Sequence, residues 1–333
     1  MQGENDVHTL VVGREAMACR FEIVFNAGEV ADATAIAVDC LDLVDEIENR
    51  ITVYRDTSEL SRLNATAADG WQPVAADLLA LLVQARELHE RTAGGFDMAA
   101  GALVRTWGFL RRQGRTPSNE ELARAREATG MQWVELDEAG SRVRFTRPGV
   151  ELNPGAIGKG WAIDRVIERL RDAGVESSLV HGGASSVRAM GGQGPVRPGT
   201  RSWPVGMRHP LRPGRRLATV QLDHRALGTS GSGTQFFIDR GRRLGHILDP
   251  RTGMPAEGVL SATVIAPTAA EADSLSTALY VLGPAGLSRV APPGGAVGAI
   301  LVVPGESAGA VRVLTANLAD EIFAIEPGEG VET

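Results

Sequence analysis

Phe21, Ile23 and Phe25 recur at every second position in CRFEIVF, the period of a half-buried strand, and an apolar run, HTLVVG, precedes them. Ile36, Cys40, Leu43, Val44, Ile47 and Ile51 then recur at helical spacing with acidic residues between them, which predicts an amphipathic helix within 30–51. Leu78, Leu81, Leu82 and Ala85 predict a second helix over 75–91. In the polar, basic stretch 110–130, Pro117 and Ser118 open a helix, and 131–147 reads as a hairpin around DEAGS with Val134 and Val143 on its arms. A helix over 156–174 follows a Gly-rich entry, and 176–250 is rich in short strands and glycines. The chain closes with a strand over 259–266, a helix over 269–282, and β signals at 297–303, 311–314 and 322–325. The arginines among Pro and Gly in 192–216 read as a solvated loop crossing a hairpin in preference to a nucleic-acid patch.

Helices and strands are thus mixed without regular βαβ alternation, which argues for an α+β or elaborated α/β fold over a doubly wound sheet. With 333 residues, 43% of them hydrophobic, the chain has ample material for a core. A net charge of −7 disfavours a general nucleic-acid or membrane-surface role. Cys19 and Cys40 are too few for a disulfide framework and match no zinc spacing. The opening MQGENDVHTLVV shows no secretory or lipoprotein signal, and no run reaches the ~18 apolar residues of a membrane span. The expectation is a soluble, cytoplasmic protein.

Five segments could carry chemistry. In VIAPTAAEADSLSTALYVL, Thr268 and Glu271 have capping-box spacing, and Asp273 and Thr277 share one face of the helix that follows. A carboxylate and a hydroxyl suit Mg²⁺ or Ca²⁺, though both residue types are also common in early helical turns. In NPGAIGKGWAID, Gly155, Gly158 and Gly160 allow close backbone approach, the helix start offers N–H groups to an anion, and Lys159 could neutralise phosphate; a tight strand-to-helix turn explains the same residues. LGTSGSGTQFF (227–237) could line a phosphate or ribose or form a hairpin turn. In GGFDMAAGALVRTWGF, Asp97 follows a turn and starts a helix, which N-capping alone would explain. In GHILDPRTGMP, the Asp-Pro-Arg-Thr-Gly half needs only turn chemistry, and His246 taken alone is a strand-end histidine before it is a base.

In order, the chain also shows MAC (17–19), TVYRDTSELSRLN (52–64), GGFD with WGF, NPGAIGKGWAID, HGGASSVRAMG (181–191), TSG (229–231), HILDPRTG and ADSLSTA (272–278). This series resembles the ApbE family, the FAD:protein FMN transferases, from about residue 14 to 325. The resemblance implies one domain over 8–325, an α/β core related to the T-fold with a smaller α/β part, and tails at 1–7 and 326–333 expected to be flexible. It implies Mg²⁺-dependent transfer of FMN from FAD to a threonine or serine of a target flavoprotein, with release of AMP. By the same resemblance Asp273, Thr277 and the Gly158 carbonyl would hold Mg²⁺, and His246 would take the proton of the acceptor hydroxyl. Tyr54 matches the position that contacts the isoalloxazine, and Met17, Gly95, Phe96, Asp97 and Lys159 match FAD-contacting positions.

The chain departs from the family pattern at Ala18-Cys19 in place of Gly-Thr, at Asn153-Pro154 in place of an acidic opening, at Ala184-Ser185-Ser186 after Gly182-Gly183, and at Ser232-Gly233 in place of Asp-Tyr. Two other readings stand beside transfer: an FAD pyrophosphatase giving FMN and AMP, and a non-catalytic FAD-binding protein. The first replaces the acceptor with water; the second is motivated by the missing Asp-Tyr.

Overall fold

The computed structural model describes residues 8–194, 202–231, 233, 235–326 and 330–332. The described chain opens with the hairpin β1 (Thr9–Ala16) and β2 (Cys19–Asn26), then helices α1 (Ala33–Ile51) and α2 (Glu59–Thr66). Strand β3 (Gln72–Pro73) and helices α3 (Ala76–Arg91), α4 (Gly101–Thr106) and α5 (Asn119–Glu127) lead to the hairpin β4 (Val134–Asp137) and β5 (Arg142–Phe145). Helix α6 (Gly158–Asp172) precedes β6 (Ser178–Gly182), β7 (Ser186–Met190), β8 (Trp203–His209), β9 (Arg212–Leu222) and β10 (Ala226–Gly231). The hairpin β11 (Phe236–Asp239) and β12 (Arg242–Gly245) is followed by β13 (Ser261–Ala266), α7 (Ala269–Leu282) and α8 (Leu287–Val290). Strands β14 (Gly298–Pro304), β15 (Val311–Ala316), β16 (Phe323–Ile325) and β17 (Val331–Glu332) complete it.

The frame is a nine-stranded sheet in the order β1-β2-β6-β7-β10-β13-β14-β15-β17. Its neighbours run antiparallel except β15 and β17, so the fold is mixed α/β without βαβ crossovers. The central strands are buried on both faces, which is why their sequences read as continuous apolar runs. Along β14, Ala299, Leu301 and Val303 face the core shared with α1, α3, α6 and α7, while Ile300 and Val302 face a second core. That second core lies against the three-stranded sheet β16-β9-β8, with Trp203, Leu217, Val220 and Leu222. A third, smaller cluster joins Leu103, Trp107 and Phe109 to Leu244 and Leu248, and so ties the α4–α5 region to the hairpin preceding His246.

Several elements differ from the pattern read along the sequence. Segment 203–222 is mostly strand, so Arg208 lies on β8 and Arg212, Arg215 and Arg216 lie on β9, while 195–201 falls outside the described residues. Asp97 starts no helix: its carboxylate closes a local turn by accepting the Ala99 N–H at 2.7 Å, and α4 begins only at Gly101. Thr268 caps α7 by accepting the Glu271 N–H at 3.2 Å, but the Glu271 carboxylate pairs with Arg91 across the fold and does not return to the cap. Val331–Glu332, expected within a flexible tail, pairs with Val311–Arg312, while residues 1–7 lie outside the described residues. Among the described residues no helix is long and apolar enough to cross a membrane.

Helix α7 is buried on nearly every side, and its sequence of small residues permits that. A Cβ on Gly160 would stand 2.2 Å from the Ala269 carbonyl oxygen, and one on Gly228 would stand 2.4 Å from Ala272 backbone, so α6 and β10 both approach α7 at backbone distance. The start of α7 needs partners for its N–H groups. Asp164 on α6 supplies them: its carboxylate accepts from Ala269 at 2.8 Å and Ala270 at 2.9 Å. Arg188 on β7 pairs with the same carboxylate. Burial pushes the Asp164 carboxyl up, and Arg188 and the two N–H groups act against that rise.

This packing makes a direct prediction. Asp164→Ala strands a buried guanidinium and two amides, and it should lower unfolding stability by about 3–5 kcal/mol in a urea titration at neutral pH. Gly160→Ala should cost about 1–3 kcal/mol in the same titration, since the backbones must part to admit a methyl. Changes below ~0.5 kcal/mol at both positions would show that the junction of α6 and α7 is looser than described.

Candidate active site

The entry to α6 is a tight turn. Asn153 Oδ1 accepts the Gly155 N–H at 2.9 Å, and the Pro154 carbonyl accepts from Ile157 at 3.0 Å and Gly158 at 2.7 Å. Beyond this turn the Gly160 N–H reaches α7. There Asp273, buried with its side chain 5% exposed, accepts the Gly160 N–H at 3.3 Å and the Ser186 hydroxyl at 3.0 Å. Lys159 Nζ stands 3.7 Å from the same carboxylate. One turn along α7, Thr277 Oγ1 lies 3.0 Å from Ser230 Oγ and donates to the Asp273 carbonyl at 3.3 Å. Ser230 belongs to β10, which the close approach at Gly228 presses onto α7.

The result is one buried carboxylate among hydroxyls and backbone amides. Among the described residues no three His, Cys, Asp or Glu side chains converge on a metal position. The donor set therefore excludes a zinc cage but fits Mg²⁺, which takes hard oxygen ligands and is commonly held by one or two carboxylates with substrate phosphates and water completing its shell. Gly158, the first residue of α6, is buried two positions before Gly160, against Ile51 and Pro154.

His246 follows β12 directly. Its backbone N–H donates to the Gln235 carbonyl at 3.2 Å, and its Nδ1 lies 3.1 Å from the same oxygen. A carbonyl oxygen only accepts, so Nδ1 carries the hydrogen and Nε2 keeps a lone pair. The ring stands edge-on to Phe109, with centroids 6.4 Å apart. Burial lowers the imidazole pKa, the Gln235 carbonyl raises it, and Lys159 lowers it; the net is downward. The charge of Lys159 thus reaches both Asp273 and His246.

The β1–β2 turn borders the same group. Met17 and Ala18 both hold positive φ, at 49° and 59°, where a two-residue hairpin turn usually carries Asn-Gly. Glu48 on α1 holds this strained turn by accepting the Met17 N–H at 2.6 Å. Cys19 follows, half-buried; burial raises its thiol pKa, Lys159 lowers it, and Asp273 raises it. Cys19 therefore sits within the field of the Lys159–Asp273 pair.

The remaining predicted positions lie apart. Gly95 packs against Leu282 at the far end of α7, where a Cβ would come within 2.9 Å. That is roughly 14 Å along the helix from Asp273. Phe96 is 1% exposed, and the Asp97 side chain is 2% exposed, committed to Ala99, to the Met131 N–H at 3.4 Å and to His89 Nδ1 at 3.1 Å. Burial lowers the His89 pKa, but Asp97 overrides it and the net is upward. This turn offers a ligand its backbone and not the side chains of Phe96 or Asp97. Tyr54, by contrast, is 68% exposed on the loop after α1.

Four residues with evident roles here were not singled out along the sequence as site groups. Ser186 and Ser230 supply hydroxyls to Asp273 and Thr277, Gln235 sets the His246 tautomer, and Asp164 anchors α7. Ser230 lies inside the TSG segment flagged for its hydroxyls. Asp164, Ser186 and Gln235 also lie inside quoted segments, but only the fold shows what each one binds.

The family model described as the ApbE family matches residues 17–301. The chain is 31% identical over 249 residues to the FAD:protein FMN transferase of Haemophilus influenzae, covering 72% of this chain and 70% of that protein. Two solved structures share its fold. The ApbE protein of Thermotoga maritima superposes with a TM-score of 0.83 at 28% identity, covering 93% of this chain and 97% of that one. The apo flavinyl transferase ApbE of Pseudomonas stutzeri gives 0.82 at 29%, covering 95% and 97%. With most of its length inside the family model and a relative above 30% identity over some seven-tenths of both chains, this protein belongs to the ApbE family.

Proposed function

We propose that the chain is an FAD:protein FMN transferase that moves FMN from FAD to a threonine or serine hydroxyl of a target flavoprotein and releases AMP. The observation that carries this reading is Lys159 standing 3.7 Å from the buried Asp273 carboxylate, in a fold that also holds His246 with its Nδ1 on the Gln235 carbonyl. Diphosphate chemistry requires charge neutralisation beside a base, and these three groups offer both. Asp273, Thr277 and the Gly158 carbonyl would hold Mg²⁺, which when bound supplies Lewis-acid polarisation of the diphosphate.

The chain's own residues account for the remaining steps. The Lys159 ammonium, on the first turn of α6, binds diphosphate oxygens. His246 Nε2 takes the acceptor hydroxyl proton as that oxygen bonds to the FMN phosphorus. The bond from this phosphorus to the bridging oxygen breaks, and the electron pair leaves on AMP. Nδ1–H, held by the Gln235 carbonyl, keeps the ring aimed while Nε2 is charged. Tyr54 is exposed and able to stack on an isoalloxazine, and the turn at Gly95–Asp97 lies a nucleotide's length away along α7.

The test is to incubate the protein with FAD, Mg²⁺ and a threonine peptide of flavinylation type. Covalent flavin on the peptide with AMP supports transfer; FMN and AMP without label supports hydrolysis; FAD binding without AMP excludes both. Asp273→Ala should abolish turnover and Mg²⁺-dependent FAD binding together. His246→Gln should leave FAD affinity within about twofold while kcat drops by roughly 10²–10⁴. Because burial lowers the His246 pKa, the base stays neutral further into acid, and the acid limb of kcat/KM should have its midpoint below the ordinary value of about 6.5. A midpoint above that value, or unchanged turnover in His246→Gln, would remove His246 as the base.

A further inference from the structure

The β11–β12 hairpin is joined to His246 at its base. Phe236 pairs with Gly245, the residue before His246, and the Gln235 carbonyl that orients the imidazole precedes Phe236. The inner face of the hairpin is anchored: Phe237 packs on Trp107 and Phe109, and Asp239 accepts the Thr116 hydroxyl at 2.9 Å. The outer face is open. Phe236 is 44% and Ile238 70% exposed, and Met254, on the turn after His246, is 44% exposed. Of the eight exposed large apolar side chains among the described residues, these three lie within ten positions of His246, so the exposure is concentrated there. The same hairpin carries Arg240, Arg242 and Arg243, all exposed, on a chain whose net charge is −7. Arg242 pairs with Glu257 at 2.8 Å and lies opposite Asp239, so the hairpin's excess positive charge comes from Arg240 and Arg243. Arg243 lies 3.8 Å over the Phe236 ring, which keeps a cation on the apolar face.

We infer that the outer face of β11–β12 docks the acceptor protein, through an extended segment whose acidic and apolar side chains flank the reacting hydroxyl. This rests on the transferase reading, since it places a macromolecular acceptor at His246. Charge complementarity selects an acidic segment, and the exposed Phe236, Ile238 and Met254 select apolar side chains beside it. At about 3.4 Å per residue, a strand whose hydroxyl meets His246 reaches Ile238 and Arg240 with side chains some two to five positions away. Among the described residues β11 and β12 pair only with each other, so their outer edges can also receive a strand.

The experiment uses the full chain and two synthetic peptides with a single threonine, one flanked by aspartates and leucines, its twin with lysines in place of the aspartates. Fluorescence anisotropy should show the acidic peptide binding roughly tenfold or more tightly. Arg240→Asp, which keeps a turn-compatible residue at that positive-φ position, combined with Ile238→Asp should remove this preference and leave FAD affinity unchanged. Equal binding of the twins, or a preference that survives both substitutions, overturns the docking surface. A matching loss of FAD affinity also overturns it, by assigning the hairpin to the nucleotide. Selective binding without any flavin label would leave the docking surface standing and sink the transferase reading instead.

Discussion

Ala269 and Ala270 begin a helix that is buried on nearly all sides, and their N–H groups are shut away from water. The Asp164 carboxylate satisfies both, and Arg188 balances its charge. Because Asp164 sits on α6, this bond also fixes where α6 meets α7. Gly160, one turn earlier on α6, lets the backbones touch. Asp273 then comes within reach of the Gly160 N–H and of Lys159, and Thr277 meets Ser230 on β10. A change that separates the two helix starts would part Asp273 from Lys159 and from the Gly160 N–H.

His246 is held by a different device. One carbonyl, that of Gln235, binds both its backbone N–H and its ring, so the hairpin base and the imidazole move as a unit. Burial and the Lys159 charge keep the ring neutral, while the Asp273 carboxylate stays ringed by donors. The two halves of the site thus come from separate parts of the fold. The strained Met17–Ala18 turn, pinned by Glu48, brings Cys19 to the same border.

Local signals carried far along this chain. The bounds 269–282 of α7 follow from its capping residue and periodicity, and Pro117 with Ser118 marks the start of α5. Spacing alone puts Asp273 and Thr277 on one helical face. His246 was legible only through resemblance, since nothing local distinguishes it from a strand-end histidine. Asp97 was legible as a motif match, while the inward course of its side chain to Ala99, Met131 and His89 was not. Asp164 was invisible as an anchor because its partners lie over a hundred residues away. Arginines 212–216 read as loop because Pro and Gly surround them, yet strand pairing with β8 overrides that composition.

The most direct measurement of the central claim is a crystal structure with FAD and Mg²⁺ bound. The metal is expected on Asp273 and Thr277, the diphosphate oxygens against Lys159, and the Nε2 of His246 facing the FMN phosphorus. FAD seated elsewhere, or a diphosphate that meets Lys159 while His246 faces away from it, would contradict the account.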